Sequence, residues 1–174
     1  NIRLLSALAR AGVDLNARDP FYGMTPAHWA AYKGQMGVLR YFREAGVNLS
    51  VRDNDDVTLA HLASRHGHVE VLRYLRDAGV ELNVPDKDRV ALVHIASRYG
   101  HAEVLRYLHS VDIDLDESTS QEHPYDYMRV RHLEGSSKDG RNAAHWAAQY
   151  GQVEALTILH EAGVDIYARD KDLW

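Results

Sequence analysis

Eleven histidines in a 174-residue chain without cysteine are the first groups that could do chemistry, as general bases, proton carriers or metal ligands. Four of them, His28, His61, His94 and His145, stand in one recurring frame, His-x-Ala-(Ala/Ser)-x-x-Gly, that closes on Gly34, Gly67, Gly100 and Gly151. The first two intervals are 33 residues each and the last is 51, an excess of 18. A catalytic or metal-binding group has no reason to recur once per interval, so these histidines are expected to hydrogen-bond loop backbone and pin it. His66, His68 and His101 fall at turn positions, and the pair His66-x-His68 lacks further ligands at zinc spacing. Asp53, Asp55 and Asp56 imitate the start of a calcium loop, but the glycine and distal glutamate of such a loop are missing, which leaves a solvated acidic turn as the better reading. The chain contains no G-x-S-x-G, P-loop, G-x-G-x-x-G or H-E-x-x-H. It is therefore expected to be no enzyme, with no catalytic residue, cofactor or metal.

Composition narrows the partners. Twenty basic residues are outnumbered by 25 acidic ones, giving a formal charge of -5 that offers nucleic acid no global attraction. No apolar run approaches the roughly 20 residues of a membrane-spanning helix, so membrane insertion is not expected. The absence of cysteine permits a reducing compartment. The expectation is an intracellular protein, in the cytoplasm ahead of the nucleus, and a monomer.

The elements that carry the recurring histidines follow from periodicity. A short helix runs from about Thr25, Thr58, Ala91 or Asn142 to the closing glycine of each frame, and a second helix follows at once. In the second copy Val69, Val71, Leu72, Leu75 and Ala78 fall on one face while Glu70, Arg73, Arg76 and Asp77 look outward. Neither helix can bury its stripe alone. Stacked neighbours can, and Ala30, Ala63, Ala96 and Ala147 are small enough for adjacent short helices to approach closely. Asn1 to Arg10 reads as a second helix without its first, and there is no initiator Met, so the chain is expected to be a piece of a longer protein.

With the period of 33 and the stretch Thr25-Pro26-Ala27-His28-Trp29-Ala30, a close copy of T-P-L-H-x-A, the chain resembles an ankyrin-repeat protein. Gly67-His68-Val69-Glu70 and Ala45-Gly46-Val47-Asn48-Leu49 carry the same likeness. The resemblance implies an all-α, ankyrin-repeat helical solenoid of stacked helix-turn-helix units with β-hairpin or loop connections. It divides into a partial repeat at 1-18, full copies at 19-51, 52-84, 85-117 and 136-169, an insertion at 118-135, and the start of another repeat at 170-174. The copies depart from the family in places. Gly23 and Gly140 occupy a hairpin position of positive φ where Asp56 and Arg89 stand in the middle copies, and those hairpins are expected to be distorted. The first hairpin holds one extra residue, and Arg43, Arg76, His109 and His160 replace a second leucine in the second helices, making the convex face more polar. The insertion mixes Tyr125, Tyr127, Met128, Val130 and Leu133 with basic residues, a composition that suits folding back or meeting a partner better than a bare linker.

The resemblance also implies where a partner binds, at hairpin tips and at the last positions of the first helices. Those positions are Tyr32 and Lys33, Arg65 and His66, Arg98 and Tyr99, Gln149 and Tyr150. They form an aromatic and basic ladder of residue types common in binding hot spots. Arg18, Phe21 and Tyr22, Lys138 and Arg141, and from the insertion Tyr125, Tyr127, Arg129 and Arg131, extend it. Trp29 and Trp146 are expected to pack between repeats. The expected function is a protein-protein interaction module or scaffold that grips a partner segment of acidic character. The alternative is a regulatory or substrate-targeting domain of a larger enzyme.

Overall fold

The computed structural model describes residues 2–88, 90–113 and 141–169. The chain divides into two compact units, residues 1–82 and 83–174. The first holds α1 (Ile2–Arg10), α2 (Pro26–Tyr32), α3 (Met36–Glu44), α4 (Leu59–Arg65) and α5 (Val69–Asp77). The second holds α6 (Leu92–Tyr99), α7 (Ala102–Ser110), α8 (Ala143–Gln149) and α9 (Val153–Glu161). Among the described residues there is no strand, only a single antiparallel bridge between Arg52 and Thr58. The fold class is all-α, built from helix-turn-helix repeats.

Each first helix begins where an extended residue, Thr25, Thr58, Ala91 or Asn142, breaks the helical backbone. The third residue in is the recurring histidine. Its Nδ1 accepts the amide of that extended residue at 3.0 Å in His28, 3.1 Å in His61, 3.2 Å in His94 and 3.3 Å in His145. An orphan helix-start amide is thereby satisfied from inside the helix. The far nitrogen of His28 reaches the next hairpin, with Nε2 3.2 Å from the Val57 carbonyl. One imidazole thus ties its own helix start to the following repeat.

Alanines recur at the closest contacts between first helices, beside larger residues such as Leu59 and Leu92, and the second helices bury mainly large side chains. Ala27, Ala30, Ala31, Ala60 and Ala63 are buried where α2 packs on α4, while Leu39, Phe42, Leu72 and Leu75 of α3 and α5 close the same core. In the second unit Ala96 and Ala147 lie in the packing of α6 on α8, backed by Leu105, Leu108 and Leu159. Alanine at the first-helix positions lets those backbones approach, and the longer side chains behind them fill the resulting space.

The 18-residue excess leaves this register intact. In the first unit His68 Nε2 lies 3.1 Å from the Tyr32 carbonyl, 36 positions earlier. In the second unit Gln152 Nε2 donates to the Arg98 carbonyl at 3.3 Å, 54 positions earlier. The contact is the same one, lengthened by the insertion. The insertion residues themselves lie outside the described residues.

Close approach also explains one glycine. Gly34 has φ +65°, and a Cβ there would fall 2.8 Å from Nδ1 of His68. Gly34→Ala is expected to cost about 1–3 kcal/mol, from left-handed strain plus the displaced imidazole. Thermal melting checks this, and a loss below about 0.5 kcal/mol would show that neither the left-handed backbone nor His68 opposes a side chain there.

Two expectations are corrected here. The hairpin at Asp56 is not distorted: Asp56 itself adopts φ 61°, in the region that Gly23 occupies at φ 70°. Asparagine and aspartate tolerate that region better than other side chains. Its counterpart Arg89 lies outside the described residues. Asp53 is not a solvated tip: it is buried, and its Oδ1 accepts the amides of Asp55 at 2.8 Å and Val57 at 2.9 Å. Asp19 accepts from Phe21, Tyr22 and Met24 and Asp86 from Asp88 and Val90, so the recurring hairpin aspartate is a turn-former. The Tyr22 amide, with Phe21 and Met24, holds the Asp19 carboxyl below the ordinary carboxylate range.

Candidate functional site

The helical repeat decides which side chains face outward. In α2 the buried positions are Ala27, His28, Ala30 and Ala31, which leaves Trp29, Tyr32 and the following Lys33 on the remaining stripe at i, i+3 and i+4. Trp29 is 51% exposed, so it does not pack away between repeats as its size suggests. Its ring meets Tyr32 edge-on at 5.7 Å, Tyr32 meets His66 at 4.2 Å, and the Lys33 ammonium stands 4.7 Å over the Tyr32 ring. Arg65 and His66, at the end of α4, are half-buried. On the hairpin tip Phe21 and Tyr22 are 82% and 62% exposed, while Arg18 donates Nη1 to the Gly23 carbonyl at 3.2 Å. The tip is held by its neighbour, since Asn54 donates its backbone amide to Tyr22 at 2.9 Å and Nδ2 to the Phe21 carbonyl at 3.3 Å.

The second unit builds a different cluster from equivalent positions. The Arg98 guanidinium lies 4.8 Å from the Tyr150 ring, 5.5 Å from Trp146 and 5.8 Å from Tyr99. Trp146 and Tyr150 are parallel within 3°, their centroids 6.4 Å apart, because Tyr150, the residue capping the end of α8, stands at i+4 from Trp146. Arg141 donates Nη1 to Oε1 of the exposed Gln149 at 3.1 Å. Arg98 therefore crosses from α6 to α8 and is oriented by aromatic faces, each such contact worth about 0.5–1 kcal/mol at exposed sites. Tyr125, Tyr127, Arg129, Arg131 and Lys138 lie outside the described residues.

Placing Trp29 and Trp146 between repeats hid both of them as members of these clusters. The signal was available in the spacing, since Trp29 precedes Tyr32 by three residues and Trp146 precedes Tyr150 by four.

Among the described residues no group of three or more histidine, aspartate or glutamate side chains could hold a metal ion. No helix among them is long and apolar enough to cross a membrane. The family model for ankyrin repeats matches the chain in three copies, over residues 1–86, 50–119 and 84–170. The chain belongs to the ankyrin-repeat family. No curated relative matches it. Ankyrin repeats are generally protein-protein interaction modules, and the family is typically non-enzymatic.

Proposed function

We propose that this chain is a scaffold that binds a segment of a partner protein through its hairpin tips and the ends of its first helices. The observation that carries the reading is the Trp29, Tyr32 and Lys33 stripe, in which Trp29 and Lys33 are exposed and Tyr32 is half-buried, an aromatic surface with a cation over it. Large aromatic side chains half out of water are the residue types that dominate binding energy, and few of them are otherwise left exposed on a protein surface. Acidic character in the partner fits the same place. The carboxylates of Asp19 and Asp53 are engaged by amides of their own loops, whereas Lys33 projects outward. A rigid stack of this kind loses little conformational freedom on binding.

The test replaces Trp29, Lys33 and Arg65 with alanine together. Affinity for a purified partner, first obtained by capture with the parent protein, is expected to fall at least about tenfold, as for the loss of one to two hot-spot side chains. Helical circular dichroism and the melting temperature should stay close to those of the parent, because none of the three lies in the core. An unchanged affinity removes the stripe from the binding surface.

A further inference from the structure

Within each unit the later first helix meets the earlier one through a fixed set of contacts, counted from the recurring histidine. The residue four places on lies against the residue five places on in the next copy. Tyr32 of α2 meets His66 at 4.2 Å, and the Arg98 guanidinium of α6 stands 4.8 Å from the Tyr150 ring after α8. Arg98 also covers Trp146, one place after its histidine, and the equivalent Leu62 is 6% exposed where α4 packs on α2. The residue seven places on, which caps the start of the second helix, closes the joint. His68 Nε2 lies 3.1 Å from the Tyr32 carbonyl, and Gln152 Nε2 donates to the Arg98 carbonyl at 3.3 Å. Both side chains lie over the glycine that ends the earlier helix, so a Cβ on Gly34 or Gly100 would strike them.

On α2 the same three receiving positions hold Trp29, Lys33 and Gln35. Trp29 is 51% exposed where its equivalent Leu62 is buried, and Lys33 is exposed as well. Gln35 is exposed and makes no side-chain capping bond, and among the described residues its carboxamide has no hydrogen-bond partner. A donor that His68 and Gln152 use in their own copies is thus held ready here. The second helices run one step further back, since α1 packs on α3. Among the described residues the row of first helices starts at α2, so the face beside it is one helix wide.

We propose that this face takes a short helix of the partner protein, laid against α2 in the register that α2 takes against α4. This rests on the reading that a partner segment meets Trp29 and Lys33, to which it adds the segment's conformation and chemistry. The contacts specify that helix place by place. Its last turn presents a carbonyl to Gln35 Nε2, and glycine stands two places later, because the Gln35 side chain lies across it as His68 lies across Gly34. The residue that owns the carbonyl reaches Trp29 and Lys33, where glutamate meets the ammonium through a charge-assisted bond. The place before it is small, since its equivalents Ala31 and Ser97 are fully buried where α4 packs on α2 and α8 on α6. The chain's own first helices carry Tyr32, Arg65, Arg98 and Gln149 at the glutamate place, none of them acidic, so a second copy of this chain fits less well.

The probe is a synthetic peptide, Thr-Pro-Leu-His-Leu-Ala-Ala-Glu-Lys-Gly, bridged on its outer face because so short a helix does not hold alone. Titrated into the parent protein, it should shift the Trp29 indole and Gln35 carboxamide resonances. Replacing the peptide's glycine by alanine should weaken binding at least about tenfold, as for a side chain forced into packed atoms. Exchanging its glutamate for lysine should cost about threefold and less in salt. Gln35→Ala, a change of an exposed side chain that leaves the helical circular dichroism alone, should cost about three- to tenfold, one hydrogen bond's worth. No shift at either residue, equal binding of the glycine and alanine peptides, equal binding of a peptide with proline at its centre, which cannot be helical, or full affinity in Gln35→Ala would each overturn the proposal. A captured partner that needs Trp29 and Lys33 but ignores Gln35→Ala would sink the helical register and leave the stripe standing. Self-association that the peptide displaces would give the face to a second copy, and a full-length gene product that rejects the peptide would give it to that protein's own chain. Either result also overturns the proposal.

Discussion

Phe42→Ala is expected to lower the unfolding free energy by about 3–5 kcal/mol, the usual cost of emptying a buried aromatic site. Phe42 is 1% exposed and is the largest fully buried side chain of the described core. It stands on α3, which packs on both α1 and α2, so the cavity would open where several elements meet. The last turn of α3 is fixed by the same residue, whose carbonyl accepts the Val47 amide at 2.8 Å beyond the left-handed Gly46. Short helices of this length are not stable alone, and nearest-neighbour packing is what supports them. Urea denaturation followed by circular dichroism checks the value. A loss below about 1 kcal/mol, less than a typical core truncation, would mean that α3 holds its place without this side chain.

His28→Ala is expected to cost about 2–4 kcal/mol and to flatten the acid limb of the stability curve. The imidazole is fully buried, and its removal strands the Thr25 amide and the Val57 carbonyl, each penalised by about 1–3 kcal/mol when buried and unpaired. Its protonation state follows from those partners. Nδ1 must accept from the amide, so the proton belongs on Nε2, where it can be donated to the carbonyl; a second proton would face an N–H. Burial pushes the His28 pKa below its ordinary value of 6.5, outweighing the Val57 carbonyl and the Asp53 charge that act the other way. The unfolded chain therefore takes up this proton before the folded one does. The contribution is complete above pH 6.5 and is lost as the pH falls from 6.5 toward the folded value. Parent and variant should differ most at neutral pH and converge in acid, and parallel curves would show that another group sets the acid limb.

The repeated histidines, the glycine stops and the alanine positions were legible because each reports a local requirement that recurs at fixed spacing. His28, His61 and His94 could be placed as backbone-binding groups for that reason alone. Trp29 was misplaced because size was allowed to outweigh period: two turns of helix already devoted to Ala27, His28, Ala30 and Ala31 have no buried place left for it. Asp53 was misread because its role rests on amides converging in space, which no composition rule for acidic turns displays. Asp112 illustrates a subtler substitution. It adopts φ 59° after α7, where α3, α5 and α9 are followed by Gly46, Gly79 and Gly163, and aspartate's tolerance of that backbone region conceals the missing glycine.

The carbonyl that Gln152 finds on Arg98 lies 54 positions away, yet the contact is the one His68 makes to Tyr32 across 36, so the last helix pair docks in the same way on a longer connection. Closing a loop becomes only about 0.6 kcal/mol harder with each doubling of its length. That junction is therefore a natural port: sequence can be gained, lost or exchanged there at small energetic cost. A reporter or binding peptide spliced into it would leave the register of α8 upon α6 undisturbed.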